Sequence, residues 1–224
     1  DWANRPVNYV SYWDSCRFAN WLHNGQPTGA QGAGTTETGA YTLNGYNGYD
    51  GRGIQRNAGW KWAVTSEDEW YKAAYHKNDG VTGNYWDYPM GSSAVPNNGN
   101  PGGDTGNSAN FYDGDYTIGR PYWRTNAGFF SLSDSPYGTF DQGGNVWEWN
   151  ESIVYQGATY ANRGVRGGSF YNDVDDLHAS YRYGVYYPTV EDHDGGFRVS
   201  EVPEPATIVM LALAGVGILR RKRA

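Results

Sequence analysis

The stretch Gly143-Gly144-Asn145-Val146-Trp147-Glu148-Trp149 decides the fold, because an irregular chain gives way there to a regular one. The preceding residues 78–144 show almost no periodicity and are dense in Gly, Asn, Asp and Pro. Aromatic side chains suit an irregular or sheet-rich core better than a helical one. We therefore predict short strands in this half of the chain, at Val146–Trp149, Val165–Phe170, Ala179–Tyr183 and Phe197–Val199.

Residues 78–144 form a long segment without a predicted helix or strand. A loop of this length inside a domain is normally either functional or disordered. Its aromatic residues argue against disorder because they can bury large areas. They include Tyr85, Trp86, Tyr88, Phe111, Tyr112, Tyr122, Trp123, Phe129 and Phe130. We predict an ordered irregular region that is fastened by ions.

Two helices are predicted nearer the N-terminus. Ser11, followed three residues later by Asp14, has the pattern of a capping box, and Gly25 provides a stop after Asn24. A second helix begins after Thr65 or Ser66, because three acidic residues then fill its first turn, where the helix dipole favours negative charge.

The composition excludes several classes of protein. The 224 residues include 32 Gly and 20 Tyr, a mix that does not build long helices. Ten Trp residues supply enough apolar area to exclude a disordered chain. The single cysteine, Cys16, excludes an internal disulfide framework, and we expect it to be a small buried residue.

The charge balance is more acidic than the net value of −7 indicates. Setting aside four basic residues at 220–223 leaves 13 Lys and Arg against 24 Asp and Glu, a charge of −11. Such a surface repels phosphates, so we expect no nucleic-acid partner. It suits calcium or neutral ligands better.

The C-terminal tail has three parts. Val202-Pro203-Glu204-Pro205 precedes an uncharged run at Ala206–Leu219, which ends in Arg220-Arg221-Lys222-Arg223. As a helix the run would span about 21 Å at ~1.5 Å per residue, which is short for a bilayer but extendable by interfacial residues. The basic cluster predicts a cytoplasmic end, with residues 1–201 outside. A buried helix at the chain end is the alternative.

This tail resembles the PEP-CTERM sorting signal of exosortase-bearing Gram-negative bacteria. The resemblance implies export, a transient C-terminal anchor in the inner membrane, processing by an exosortase, and residence in the envelope or extracellular matrix. We therefore divide the chain into a domain at 1–200 and a sorting tail at 201–224. Because residue 1 is Asp, we also expect that an N-terminal part is missing.

Six motifs in order over residues 6–198 resemble the formylglycine-generating-enzyme, or sulfatase-modifying-factor, family. They are Pro6–Asp14, Thr65–Trp70 with Ala73-Ala74, Tyr88–Gly91, Asn126–Phe129 through Gly143–Trp149, Arg166–Phe170, and Tyr181–Tyr183 with Gly196–Arg198. The resemblance implies an α+β, C-type-lectin-like fold with much irregular structure. The tail would add a C-terminal apolar helix to it.

The founding activity of that family oxidises a substrate cysteine to formylglycine, with two cysteines binding Cu(I). Placed by the Tyr181–Tyr183 motif, those two positions fall near Asp175 and at Ser180. A carboxylate and a hydroxyl cannot replace thiolates as ligands of a soft ion. We therefore do not expect formylglycine generation, nor a catalytic copper or iron ion.

Structural calcium is the cofactor that the resemblance implies. Asn145 and Glu148 match one calcium site of the family, and Asn110 resembles part of a second. Oxygen ligands on an irregular chain are what calcium accepts. In the alternative interpretation, Asn145 merely holds a turn and Glu148 pairs with an arginine.

The family's substrate groove corresponds to a segment rich in tyrosine, amide and carboxylate side chains, which suit binding. The candidate ligand-binding residues are Tyr171, Asn172, Asp173, His178, Tyr186, Tyr187, Asp192 and His193. The leading hypothesis is an exported envelope or matrix protein that binds a glycan or another surface ligand.

Two other hypotheses remain open. One is an active non-haem metal oxidoreductase with altered ligands, which would use His178, His193 and Asp175. The other is a hypervariable ligand-binding protein of the diversity-generating type, motivated by the composition of residues 171–194.

Overall fold

The computed structural model describes residues 1–202. The predicted apolar helix within 206–219 lies outside the described residues. Within residues 1–202, no helix combines the length and apolar character that a membrane crossing requires. The elements in chain order are α1 (Tyr12–His23), β1 (Trp62–Val64), α2 (Glu67–Tyr75), β2 (Trp147–Gln156), β3 (Ala161–Arg166), a 3₁₀ helix (Val174–Leu177), β4 (Gly195–Phe197) and β5 (Val199–Glu201).

Both predicted helices form and begin as the sequence indicates. The Ser11 hydroxyl accepts a hydrogen bond from the Asp14 backbone N–H, and the Asp14 carboxylate accepts one from the Ser11 N–H. Ser66 and Glu69 repeat this capping box at the start of α2. Each box satisfies backbone donors that a helix start leaves without partners, which stabilises the helix by about 1 kcal/mol.

The strands differ from the prediction in length and number. The strand expected at Val146–Trp149 continues to Gln156 as β2, because it pairs along its length with β3. The expectation at Ala179–Tyr183 is wrong, since that segment makes a single β-bridge between Tyr183 and Val165. The strand expected at Phe197–Val199 is divided into β4 and β5.

Two small sheets result from these pairings. The order in the first is β3-β2-β4, with β2 antiparallel to β3 and parallel to β4. The second sheet pairs β1 with β5 in antiparallel orientation. The segment that precedes β4, Asp192–Asp194, lies next to the first residue of β2. Trp147 N–H donates to Asp194 O there at 2.7 Å.

The main core lies between α1 and the sheets. The α1 side chains Tyr12, Trp13 and Cys16 are fully buried and pack against residues of β1, β2 and β3, namely Ala63, Val64, Trp147, Trp149 and Val165. Cys16 is a free, buried cysteine, as the sequence predicts. Burial raises the pKa of its thiol to about 12, which keeps it protonated and unreactive.

Side-chain amides fasten the irregular segments to this core. Asn20 is fully buried on α1, donates to the carbonyls of Thr36 and Tyr41, and accepts from Tyr41 N–H. In the segment after α2, the Asn98 side chain donates to Asp115 O, and the Asp104 carboxylate accepts from Leu132 N–H. Such bonds satisfy backbone groups that lack a strand or helix partner.

Candidate functional site

The turn before β2 is a hydrogen-bond hub. Gly144 has φ +74°, and a Cβ there would lie 2.2 Å from Asn110 O, so only glycine fits. The Asn145 Oδ1 atom accepts from Asn110 Nδ2 and from Thr125 N–H, each at 3.0 Å. Asn110 Nδ2 also donates to Trp123 O at 2.9 Å. The hub therefore fixes the position of the Trp123–Thr125 segment.

Glu148 and Asn145, two of the three residues predicted to bind calcium, have their side-chain oxygens engaged by other protein groups, whereas the buried Oδ1 of Asn110 has no hydrogen-bond partner. Glu148 is 5% exposed, and both of its carboxylate oxygens face other partners. Arg198 donates to Oε1 from Nη2 at 2.6 Å and to Oε2 from Nε, while Trp70 Nε1 donates to Oε2 at 2.5 Å. A guanidinium already supplies the positive charge that calcium would bring, and Asn145 Oδ1 is occupied by the hub.

Beside the hub lies an open cleft of about 490 Å³ with aromatic walls. Trp2 and Tyr9 are 52% and 60% exposed, whereas Phe170, which also lines the cleft, is 4% exposed. Trp123 stacks on Phe170 with 15° between the ring planes. The lining residues are Trp2, Asn8, Tyr9, Pro121, Tyr122, Trp123, Arg124, Phe170 and His193.

Two of these aromatic residues have a strained backbone. Tyr9 has φ +54° and Trp123 has φ +58°, a region that bulky residues rarely adopt. Tyr9 N–H donates to Asp192 O at 2.9 Å, and Trp123 O accepts from Asn110. Long-range contacts therefore hold both rings in place against the local preference of the chain.

The residue that follows the lining residue His193 in the chain carries a buried carboxylate. Asp194 is 4% exposed, and its Oδ2 lies 2.7 Å from the Ser169 hydroxyl. Burial raises the pKa of Asp194, and the Ser169 hydrogen bond offsets only part of that effect. Burial also acts to raise the pKa of Asp192, but hydrogen bonds from the backbone and ring of His193 lower it overall.

The structure brings some of the predicted ligand-binding residues together. His193 Nδ1 lies 2.6 Å from Asp192 Oδ1, and Tyr186 donates to Asp192 Oδ2 at 3.4 Å. The ring of Tyr171 meets that of His193 edge-on at 5.8 Å. Asn172 lies behind them, where its Oδ1 is 2.5 Å from the Ser169 hydroxyl.

The other predicted residues lie elsewhere. Tyr187 packs with Tyr49 and Tyr160 in a separate group, which we call the tyrosine cluster. Asp173 caps the 3₁₀ helix. His178 contacts Tyr88 and Ser180.

The geometry does not assemble the metal site of the oxidoreductase hypothesis. Within residues 1–202, the acid–histidine group around His193 contains Asp192 and Asp194, but neither His178 nor Asp175. Asp175 and Ser180, the positions assigned to the family's cysteines, are both exposed. The one thiol, Cys16, is buried in the main core.

A second, larger cleft of about 770 Å³ is lined in part by the N-terminal residues Ala3, Asn4, Arg5 and Pro6. The Glu148–Arg198 pair lines it, so these charges already neutralise each other. Asp141 also lines it and accepts a hydrogen bond from Gly128 N–H at 2.6 Å. With its charged groups engaged internally, this cleft offers less to a ligand than the aromatic cleft does.

Sequence reasoning missed most of the aromatic cleft. Trp2, Tyr9, Trp123 and Arg124 come from two distant segments, and no local pattern marks them as neighbours. The positive φ angles of Tyr9 and Trp123 follow from tertiary contacts, which a single sequence does not display. The available signal was the number of aromatic residues in a region without periodicity.

The chain belongs to the family of sulfatase-modifying factor enzyme 1-like domains, whose family model matches residues 1–202. The PEP-CTERM protein-sorting motif matches residues 201–223. This motif indicates export and cell-envelope targeting in Gram-negative bacteria, with membrane-associated sorting and processing by an exosortase. No sequence among the curated proteins matches the chain significantly.

Several solved structures share the fold at low sequence identity. CarF is 22% identical with a TM-score of 0.57, and the match covers 89% of this chain and 69% of CarF. Treponema denticola variable protein 1 is 20% identical with a TM-score of 0.53, covering 91% of this chain and 73% of that protein. PvdO from Pseudomonas aeruginosa is 18% identical with a TM-score of 0.51, covering 89% and 63%. The fold is thus the mixed, C-type-lectin-like fold of the family, with little regular structure.

Proposed function

We propose that this exported envelope protein binds a cell-surface or matrix glycan in its aromatic cleft and does not generate formylglycine. The observation that carries the proposal is the backbone of Tyr9 and Trp123, which is held at positive φ where the two rings line an open cleft. Neither ring would occupy that position without contacts from distant segments.

The positive φ of Tyr9 costs folding free energy, and packing of its ring within the protein does not offset that cost. A left-handed backbone costs about 1–2 kcal/mol for a residue other than glycine. Tyr9 is 60% exposed, so its ring gains little from packing inside the protein. Strained residues concentrate at binding sites, where surrounding contacts impose the geometry that the ligand requires.

The chemistry of the cleft suits a neutral, hydroxyl-rich ligand. Exposed Trp and Tyr rings offer flat apolar faces that can stack on sugar rings with little loss of conformational entropy. His193, whose side chain is 44% exposed, adds a polar group at the wall that can hydrogen-bond hydroxyls. The acidic balance of the chain disfavours polyphosphate ligands.

The positions assigned to the copper-binding cysteines support a loss of the family's founding chemistry. Asp175 and Ser180 are exposed, and Cys16 is fully buried with a raised pKa. The oxidoreductase alternative ranks second, because His178 and Asp175 do not join His193 in the described residues. After sorting, we place the domain in the envelope or extracellular matrix, with the tail as a transient anchor in the inner membrane.

The first test is binding of the full chain, in mild detergent, to an array of bacterial envelope polysaccharides. We expect retention on at least one polysaccharide and loss of about 30-fold in affinity for Trp123→Ala, which corresponds to roughly 2 kcal/mol for a central aromatic contact. Tyr155→Ala is the matched control, because Tyr155 is 62% exposed and does not line the cleft. No retention, or equal loss in both variants, would contradict the proposal.

A second test addresses the chemistry. The full chain, loaded with copper, is incubated with a cysteine-containing sulfatase peptide under oxygen, and the peptide mass is measured. We expect no conversion of cysteine to formylglycine, and turnover comparable to that of an active family member would refute this part of the proposal.

A further inference from the structure

Three consecutive residues at the edge of the aromatic cleft place metal-binding atoms together. Asp192, His193 and Asp194 each offer one carboxylate oxygen or imidazole nitrogen, and these atoms all lie within 4.8 Å of one another. The segment is held at both ends, since Tyr9 N–H donates to Asp192 O and Trp147 N–H donates to Asp194 O. The three donors therefore have a fixed backbone beneath them.

Asp194 supplies an independent sign of a missing partner. The residue is 4% exposed, and its Oδ1 atom is buried without any hydrogen-bond partner. Burying an unpaired carboxylate oxygen is costly, and such atoms in folded proteins are normally satisfied by a donor or a cation. Ser169 serves the other oxygen, Oδ2, at 2.7 Å, which leaves Oδ1 available.

The surroundings of the group also favour a cation. Within residues 1–202, neither Asp192 nor Asp194 forms an ion pair with a lysine or an arginine. His193 Nδ1 lies 2.6 Å from Asp192 Oδ1, and the His193 side chain is 44% exposed. An ion bound here would thus have two carboxylates and one imidazole on the protein side and access from solvent.

We propose that Asp192, His193 and Asp194 bind a divalent first-row transition metal ion, for which zinc is the probe. Zinc accepts histidine nitrogen with carboxylate oxygen, and three protein ligands leave a position open for water or substrate. Calcium prefers six to eight oxygen ligands over an imidazole nitrogen. The proposal does not depend on glycan binding, although His193 belongs to both sites.

The test is a zinc titration by calorimetry of the full chain, prepared in mild detergent, without a histidine tag and after treatment with chelator. We expect one zinc per chain, confirmed by elemental analysis of the loaded protein. His193→Gln and Asp194→Asn should each weaken binding by about tenfold or more, as removal of metal-site partners generally does. His178→Gln is the matched control, because His178 lies outside the group and should leave the affinity unchanged.

Asp192→Asn provides a second carboxylate variant, since the Asp192 side chain is 39% exposed and its loss does not threaten the core. It should also weaken zinc binding. An absence of saturable zinc binding by the wild-type chain would overturn the proposal. Equal affinity in the wild type, His193→Gln and Asp192→Asn would overturn it as well, because the zinc would then be bound elsewhere.

Discussion

The most informative single substitution is Glu148→Gln, because it separates an ion pair from a calcium site. Glu148 is the buried carboxylate that the sequence motif assigns to calcium and that the structure pairs with Arg198 and Trp70. Glutamine keeps the size of the side chain and one acceptor oxygen, but removes the negative charge. The Arg198 guanidinium is then left beside a neutral group.

The expected cost follows from the burial of the two partners. Removing one member of a buried pair costs about 3–5 kcal/mol, because the other charge remains buried. The side chains of Glu148 and Arg198 are 6% and 24% exposed, so water can relieve part of the penalty. We expect a loss of about 2–3 kcal/mol in unfolding free energy, which is roughly 4–12 °C in Tm for a domain of this size.

The assay is urea unfolding of wild type and Glu148→Gln, each in excess calcium and in excess chelator. The ion-pair account predicts the same loss in both conditions. Asp115→Asn serves as the control, because it removes an exposed acidic group. If calcium stabilised the wild type, and Glu148→Gln abolished that stabilisation, the ion-pair account would be refuted and calcium at Glu148 established.

Three further predictions follow from the backbone, the charges and the core. Tyr9→Gly should change the unfolding free energy by less than about 1 kcal/mol, because relief of the positive φ offsets the added entropy of the unfolded chain. Tyr49→Gly, at a similar exposure but without positive φ, should destabilise the protein. Equal losses of unfolding free energy for the two variants in urea would contradict this. Burial acts to raise the pKa of Glu69, but hydrogen bonds from Arg56 lower it from 4.5 to about 2. The stability that the Glu69 carboxylate contributes is therefore present above pH 4.5 and lost as the pH falls toward 2. Thermal unfolding across this range should therefore show a weaker pH dependence for Glu69→Gln than for the wild type, and identical slopes would argue against it. Cys16 should react with a thiol reagent only after unfolding, since its thiol is fully buried, and rapid labelling of the native chain would show that the core around α1 opens.

Features specified by neighbouring residues could be predicted from the sequence. Each capping box needs a serine and an acidic residue three positions later, so Ser11 and Ser66 identify their helices without tertiary information. The fold itself followed from motifs spread over the chain, and the family match over residues 1–202 confirms that resemblance. Strand ends were less predictable, because β2 owes its length to its pairing with β3.

The candidate site depends on contacts that no local pattern contains. A buried carboxylate such as Glu148 signals a cation, but whether that cation is calcium or the guanidinium of Arg198 depends on the folded arrangement. The rings of Trp2 and Tyr122, which both line the cleft, meet edge-on with centroids 5.0 Å apart, although the two residues lie at distant places in the chain. Asp192 and His193 were recognised for their polar side chains, whereas Asp194 was not predicted, and its buried, unpaired Oδ1 becomes visible only in the structure.

The most direct test of the central claim is hydrogen exchange of the full chain with and without the polysaccharide that it retains. Exchange of backbone amides slows where a ligand suppresses local opening. Binding in the aromatic cleft predicts slower exchange in residues 8–10, 121–124 and 192–194, with no change around the tyrosine cluster of Tyr49, Tyr160 and Tyr187. Protection confined to the tyrosine cluster, or absent from all of these segments, would contradict the assignment of the cleft as the binding site.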